Sequence, residues 1–584
     1  MVNVGSRPIL AVIIILVVLV SGCIGGKTST TSTSTPSEVS QTATASQVKT
    51  STTSHSVPPW EYKNAKVING ATIRDIDFHW REMGAYTGNL YVTYSKGIVT
   101  VNFTGVMRNG KAKAIEVLEE VPNEKPSVIN ITVIVNGKVV DLASSPVEVH
   151  AYPKIYRGHF GYPHSGWLVL YRIPVNESIF NLTLISRFDY GKYISMYNPE
   201  WALAVPVILG AVPVVHNLSL NLHYSIPGEN LVIPAYGIFS GSGTLEKFNE
   251  LGNLRYAYIY PDLVVKNVSV RGFNVTMVFL GNWYSGDTYE KLVNVTRIGL
   301  NTFAEYTGYD AKGRVWYVQH PYLANSYASL TQNAVYLKRY LDYSSVFYVL
   351  YENWLLWSRS FLSPSLVNFL GMWPIFVSMK ENNPQYAQEF VNFMDSYALS
   401  YTSNLTLAQA ISGNESENIV FGRGFFVLRS LSAVIGNESI VKAYRVIFGK
   451  YSRRVRANSV DVGTLQRVFE NVSGQRLGWF FDEWFKTNLV PNYNVQNLKL
   501  ENGSTYRLAF RLVDSSGFTM PIEVAVYDSS GTVIGKKRVW VRNGLGEMSF
   551  VLDKRPARIV VDSGDFILNP KLQTTIKGIS VFVN

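Results

Sequence analysis

The chain has 584 residues, of which 47% are hydrophobic and 16% charged, with a net charge of +11. That length suggests three domains able to bury cores of their own, which makes disulfide staples unnecessary. The positive charge is spread thinly with no dense Lys/Arg run, which excludes a nucleic-acid binder, and the single cysteine, Cys23, excludes an intramolecular disulfide and a thiolate-rich zinc site.

The N-terminal segment, residues 1–23, reads as an export signal. Arg7 supplies a positive charge, and Ile9 to Val20 is an unbroken apolar run of twelve residues, short for a membrane span and right for a signal h-region. It ends in Val20-Ser21-Gly22-Cys23, which resembles a prokaryotic lipobox with Cys23 as the lipid-bearing residue. An uncleaved N-terminal anchor is the alternative, and both place the chain on the outer face of a membrane. Residues 24–57 form a stalk: nineteen of the 29 residues from 28 to 56 are Ser or Thr. Such a stretch cannot bury a core and spans ~30 Å as a flexible coil. Thirteen Asn-x-Ser/Thr sequons follow, at Asn102, Asn130, Asn176, Asn181, Asn217, Asn267, Asn274, Asn294, Asn404, Asn414, Asn437, Asn471 and Asn502. Their number fits an N-glycosylated extracellular surface.

Residues 58–264 are strand-like and predict an N-terminal antiparallel β domain. Leu90–Tyr94 and Ile98–Phe103 are short runs rich in β-branched and aromatic residues, and Asn136-Gly137 between two apolar runs predicts a hairpin. Ser240-Gly-Ser-Gly-Thr244 reads as a flexible loop. Residues 265–490 turn helical: Tyr386, Phe390, Phe393, Met394 and Tyr397 follow helical spacing, as do Leu465, Val468, Phe469 and Val472. Gly436-Asn437 is a helix stop. In residues 491–584 strands return, with Ile522, Val524 and Val526 alternating with Glu523 and Ala525 and turns at Asp528–Gly531 and Arg542–Gly544. These predict a C-terminal β-sandwich. The whole is a multidomain α+β chain.

Two segments carry a resemblance. Phe421-Gly-Arg-Gly-Phe-Phe-Val-Leu-Arg-Ser-Leu431 resembles Tyr-x-Lys-Gly-x-x-Val-Leu-x-x-Leu of the aminopeptidase N family of zinc metallopeptidases, the gluzincins. The stretch from Thr464 to Trp484, ending in Trp479-Phe-Phe-Asp-Glu-Trp484, resembles that family's Trp-Phe-Phe-Asp-x-Trp segment. The order β domain, helical domain, β-sandwich is also the family's, so the resemblance implies a thermolysin-like, mainly helical middle domain. Trp479, Phe480 and Trp484 lie at helical spacing and are expected to fill a core.

The resemblance also implies where chemistry would sit. The family's His-Glu-x-x-His places two imidazoles one helical turn apart on one zinc ion, with the Glu as general base. Here the matching residues are Tyr351, Glu352 and Leu355, and the third ligand position, nineteen residues on, is Pro374. The family's transition-state Tyr corresponds to Phe421, and the Glu that holds a substrate amine corresponds to Ser326. Leu and Pro offer no side-chain ligand atom, so the expectation is a degenerate member without catalytic zinc. His320 is the only histidine after residue 223, and His159 and His164 read as loop histidines. Glu352 reads either as a leftover carboxylate paired inside the fold or as a group that binds a cation or peptide amine. Tyr322, Tyr327, Tyr336, Tyr340, Tyr343, Tyr348 and Tyr351 would line the ancestral cleft. The expected function is therefore binding, of a peptide, a glycan or an envelope protein, by a cell-surface pseudopeptidase. The alternative is an active membrane-anchored hydrolase with a rearranged site using Glu352. A third reading is an envelope protein whose cleft is filled by Tyr351, Leu355 and Trp357.

Overall fold

The structure, a computed structural model, describes residues 58–584 apart from 70–75, 77, 80–81, 83, 122–128, 158–164, 190–204, 207–209, 235, 249–256, 321–325, 330–332, 359–361, 401–403, 413–418 and 452–459. The export segment with Cys23, the stalk, His159, His164 and Tyr322 lie outside the described residues.

Among the described residues the N-terminal part is two facing sheets of five and nine strands. Strand Ala85–Ser95 shows how the sequence dictates this: Tyr86, Leu90 and Val92 are buried while Thr87, Tyr91 and Thr93 are exposed, the period-two pattern of a sheet with one wet face. The inward residues of both sheets, Leu90, Val101 and Leu184 from one and Val117, Val149 and Tyr171 from the other, share one core. The predicted hairpin forms between Ile129–Val135 and Lys138–Val139, with Asn136 and Gly137 at φ 47° and 77°.

Two expectations need correction. The β region is not purely antiparallel: Asn217–Ile233 runs parallel to Ala85–Ser95, and Ala65–Val67 parallel to Glu148–Arg157. A parallel pair needs a long connection, and here other strands of the sheets supply it. The segment Ser240–Thr244 is not a loop but part of strand Gly237–Leu245, paired with Asn217–Ile233. Gly241 takes φ 68°, which favours glycine, and Gly243 is covered by a neighbouring ring. A Cβ on Gly243 would lie 2.4 Å from the Tyr224 hydroxyl, so the ring occupies the space a side chain would fill.

The middle part opens on a mixed sheet in the order Leu263–Val270, Phe273–Leu280, Arg314–Gln319, Ala334–Leu337, Tyr327–Ser329. Strand Leu263–Val270 spans the expected 264/265 boundary. Nine α-helices follow among the described residues: α1 (Gly286–Thr307), α2 (Tyr343–Ser358), α3 (Pro364–Asn382), α4 (Pro384–Ser400), α5 (Leu407–Ile411), α6 (Gly424–Ile435), α7 (Asn437–Lys450), α8 (Val462–Ser473) and α9 (Gly478–Trp484). Their ends are chemically marked. Ser285 accepts from the Thr288 amide to start α1, Asp461 from the Thr464 amide to start α8, and both helices stop at left-handed glycines, Gly308 and Gly474. Gly436, at φ 81°, separates α6 from α7 as the sequence predicts. No single helix among the described residues is long and apolar enough to cross a membrane.

The C-terminal strands form one sheet of three and one of five. A single hydrophobic core runs from Val270 to Val583, so the helices and the C-terminal sheets are packed as one body. Phe480 and Trp484 are buried in it, Trp484 edge-on to Phe518 at 4.9 Å, while Trp479 is only half-buried against Trp540.

Helices α2 and α3, which carry the positions of interest, meet at Gly371. A Cβ there would lie 2.5 Å from Cδ1 of Trp354, whose indole N–H donates to the Val367 carbonyl at 3.0 Å. Gly→Ala in an open helix gains about 1 kcal/mol. Here Gly371→Ala is expected instead to destabilise the protein by about 1–3 kcal/mol through overpacking, read from the urea midpoint. An unchanged or higher midpoint would mean that the contact yields.

Candidate functional site

Helix α2 forms because Tyr343–Ser358 is apolar on nearly every side and is buried between the middle sheet and helices α1 and α3. Tyr351 and Leu355 are four apart and so share a face. Tyr351 is half-buried; its hydroxyl donates to Asn368 Oδ1 at 3.2 Å and its ring stacks on Phe347 at 5.5 Å. The ring also meets Phe421 edge-on at 5.5 Å, which brings the two sequence-identified positions together across seventy residues. Leu355 is 3% exposed and packs into the main core.

Pro374 lies inside α3, and with Gly299, Phe303, Leu350, Trp354 and Trp357 it lines a void of about 10 Å³. That volume is at the lower limit for one water. A zinc site of the family's kind needs three converging ligand atoms. Tyr351 offers one oxygen, already bonded to Asn368, and Leu355 and Pro374 offer none, so these residues do not fit the metal. Among the described residues no group of three His, Cys, Asp or Glu side chains is arranged to hold a metal ion.

Glu352 points into the fold and is fully buried. Its charge acts on Tyr317, whose hydroxyl accepts from Asn353 Nδ2 at 2.8 Å and lies 2.9 Å from Thr296 Oγ1. Burial, aided by Glu352, pushes the Tyr317 phenol up to about 12, so it stays neutral and available as a hydrogen-bond partner. Asn353, Tyr317 and Thr296 thus form a buried hydrogen-bonded group on which Glu352 acts through Tyr317. Sequence reading missed these three. The signal was Asn353 beside Glu352 in an otherwise apolar helix.

Ser326 is also buried and serves the fold. Its Oγ accepts from the Lys338 amide at 3.1 Å and lies 2.9 Å from Ser345 Oγ, which donates to Asp342 at the start of α2. Phe421 sits in a π-helical turn, Ile419–Arg423, that leads into α6. The glycines of this motif permit close packing: a Cβ on Gly424 would lie 2.9 Å from the Phe369 ring. Arg423, 7% exposed, donates to the Trp484 carbonyl at 3.3 Å, and burial lowers its pKa to about 10.

The tyrosines expected around a cleft are dispersed. Tyr336 is buried in the junction between the β domain and the middle sheet, and Tyr340 is 69% exposed. Tyr343 and Tyr348 are half-buried. His320 is fully buried edge-on to Tyr258 at 4.2 Å, and burial holds its pKa near 3, so it is a neutral packing group. An open groove of about 940 Å³ lies elsewhere, in the C-terminal sandwich, lined by Leu498, Lys499, Phe510, Arg511, Glu547 and Lys577 among others. Ten of the thirteen sequon asparagines are exposed; Asn102 is half-buried, and Asn414 and the side chain of Asn130 lie outside the described set.

No protein-family model matches the chain, and no curated protein sequence matches it. Among solved structures the chain is similar to the crystal structure of Legionella pneumophila aminopeptidase A in complex with aspartic acid. The identity is 12% and the TM-score 0.38, over 84% of this chain and 60% of that one. The chain thus spans less than two thirds of that protein's length.

Proposed function

We propose that this chain is an exported pseudopeptidase, held at the outer face of the membrane by Cys23 or its apolar segment, that binds a peptide, a glycan or an envelope protein and does not hydrolyse peptides. The observation that carries the reading is the state of the three ligand positions. Tyr351 is bonded to Asn368, Leu355 is core, and Pro374 is built into α3. The resemblance to the aminopeptidase N family rests on the motifs at Phe421–Leu431 and Thr464–Trp484.

Loss of the Phe421 hydroxyl supports the same reading, since a ring without O–H cannot donate to a developing oxyanion. So does the burial of Glu352, because a general base must come within about 3 Å of the proton it takes. The expected result is no chelator-sensitive hydrolysis of a panel of aminoacyl-arylamides by the purified protein, and no difference between wild type and Glu352→Gln. Hydrolysis abolished both by a chelator and by Glu352→Gln would establish the rearranged hydrolase instead.

A further inference from the structure

Among the described residues, the sequons that lie in strands and those that lie in helices have different geometries. In a strand, residues i and i+2 point to the same side; in a helix they lie about 200° apart. A sequon in a strand therefore presents its Asn amide and its Ser/Thr hydroxyl together, and a sequon in a helix separates them.

On the outward face of the nine-stranded sheet, Asn102 and Thr104, Asn181 and Thr183, and Asn217 and Ser219 each share one side of their strand, with Phe103, Leu182 and Leu218 turned the other way. Thr104 donates to Asn102 Oδ1 at 3.0 Å, a bond within the sequon itself. The register spaces the sites. Asn102 stands opposite Ile185, four residues from Asn181, and opposite Tyr91, whose other neighbour His223 is six residues from Asn217. Those offsets amount to about 13 Å and 20 Å along the strands, room for separate glycans. The two strands Ala85–Ser95 and Ile98–Arg108 carry no carboxylate. A second outward pair, Asn267 and Asn274, sits on the hairpin of the middle sheet, where Thr276 donates to Asn267 Oδ1 at 2.9 Å.

The helical sequons differ. Beyond Asn294 in α1, Thr296 is fully buried, its hydroxyl bonded to the Leu292 carbonyl at 2.8 Å. Beyond Asn471 in α8, Ser473 donates to the Phe469 carbonyl at 2.7 Å. Asn437, at the start of α7, accepts from both Tyr306 and Trp373 at 3.1 Å.

We infer that the outward face of the nine-stranded sheet is a glycan-bearing face, modified on the folded chain at Asn102, Asn181 and Asn217, with the hairpin at Asn267 or Asn274 as a second site. Asn294, Asn437 and Asn471 stay bare. The donor is an oligosaccharide activated as a lipid-linked phosphate or diphosphate. The amide Nδ2 attacks the anomeric carbon, the C–O bond to phosphate breaks, the N–C bond forms, Nδ2 gives up one proton, and the lipid phosphate leaves. The inference rests on the export reading, since the donor and its transferase act on the outer side of the membrane.

The test is glycopeptide mass mapping of the full chain from its native membranes, after labelling of intact cells with an impermeant amine reagent. Glycans at Asn102, Asn181 and Asn217, absence at Asn294, Asn437 and Asn471, loss of the Asn102 glycan in Thr104→Ala and its retention in Thr104→Ser are expected. A surface-labelled chain with those strand sites bare, or with the helical sites equally occupied, overturns the inference and leaves export standing. A chain that does not label on intact cells overturns both.

Discussion

Arg429→Ala is expected to cost about 3–5 kcal/mol of stability, because it removes one partner of a buried charge group and leaves the others uncompensated. Arg429, 7% exposed in α6, is sandwiched by the rings of Phe376, Phe425 and Phe566 at 5.2, 5.8 and 5.5 Å. It donates to the Gly564 carbonyl at 3.1 Å and faces Asp565 at 3.8 Å, so it ties the helices to the C-terminal sheets. The buried Asp562, pushed up to about 7 by burial, is held down in part by this cation. Without Arg429 the Asp562 carboxyl rises further, so ionising it becomes more costly. The loss in urea unfolding is therefore larger at pH 8 than at pH 5. An equal and small loss at both pH values, under about 1 kcal/mol, would show that the rings alone hold the junction.

Glu119→Gln is expected to stabilise the protein at pH 8 by about 2–3 kcal/mol and to change it by less than about 1 kcal/mol at pH 5. Glu119 faces the core between the two N-terminal sheets and accepts a hydrogen bond from Tyr171. Burial raises its carboxyl to about 7 from an ordinary 4.5, with the Tyr171 bond acting in the opposite sense. A carboxyl raised in the folded state contributes stability that is present below pH 4.5 and is lost as pH rises through about 7. Gln keeps an oxygen for Tyr171 and removes the titration, so the wild-type decline between those values should flatten in the variant. Parallel pH profiles for the two proteins would place the Glu119 titration elsewhere.

Features set by local chemistry were legible in the chain itself. Asn136-Gly137, Gly436, Gly531 and Asn543-Gly544 all take the positive φ that their turns require, and the apolar spacings of α4 and α8 do lie on helices. What local patterns could not carry is pairing over distance. Ser240–Thr244 looked like a loop because its strand character comes from the partner strand and from rings such as Tyr224. Arg429 lies inside the Phe421–Leu431 motif, yet its acceptor Gly564 lies 135 positions on. Tyr351, Glu352, Leu355, Pro374 and Phe421 are marked by their motif positions; their burial and partners depend on the fold. Asn353 and Tyr317, members of the buried hydrogen-bonded group on which Glu352 acts, belong to no motif and became visible only in the packed structure.

The most direct measurement is the zinc content of the purified protein after exposure to excess zinc and desalting. With Tyr351, Leu355 and Pro374 at the ligand positions, far less than one equivalent should be retained, and Glu352→Gln should not change it. About one tightly held zinc per chain, lost in Glu352→Gln or in a Tyr351→Phe variant, would contradict the pseudopeptidase reading and identify a metal site that these residues help to build.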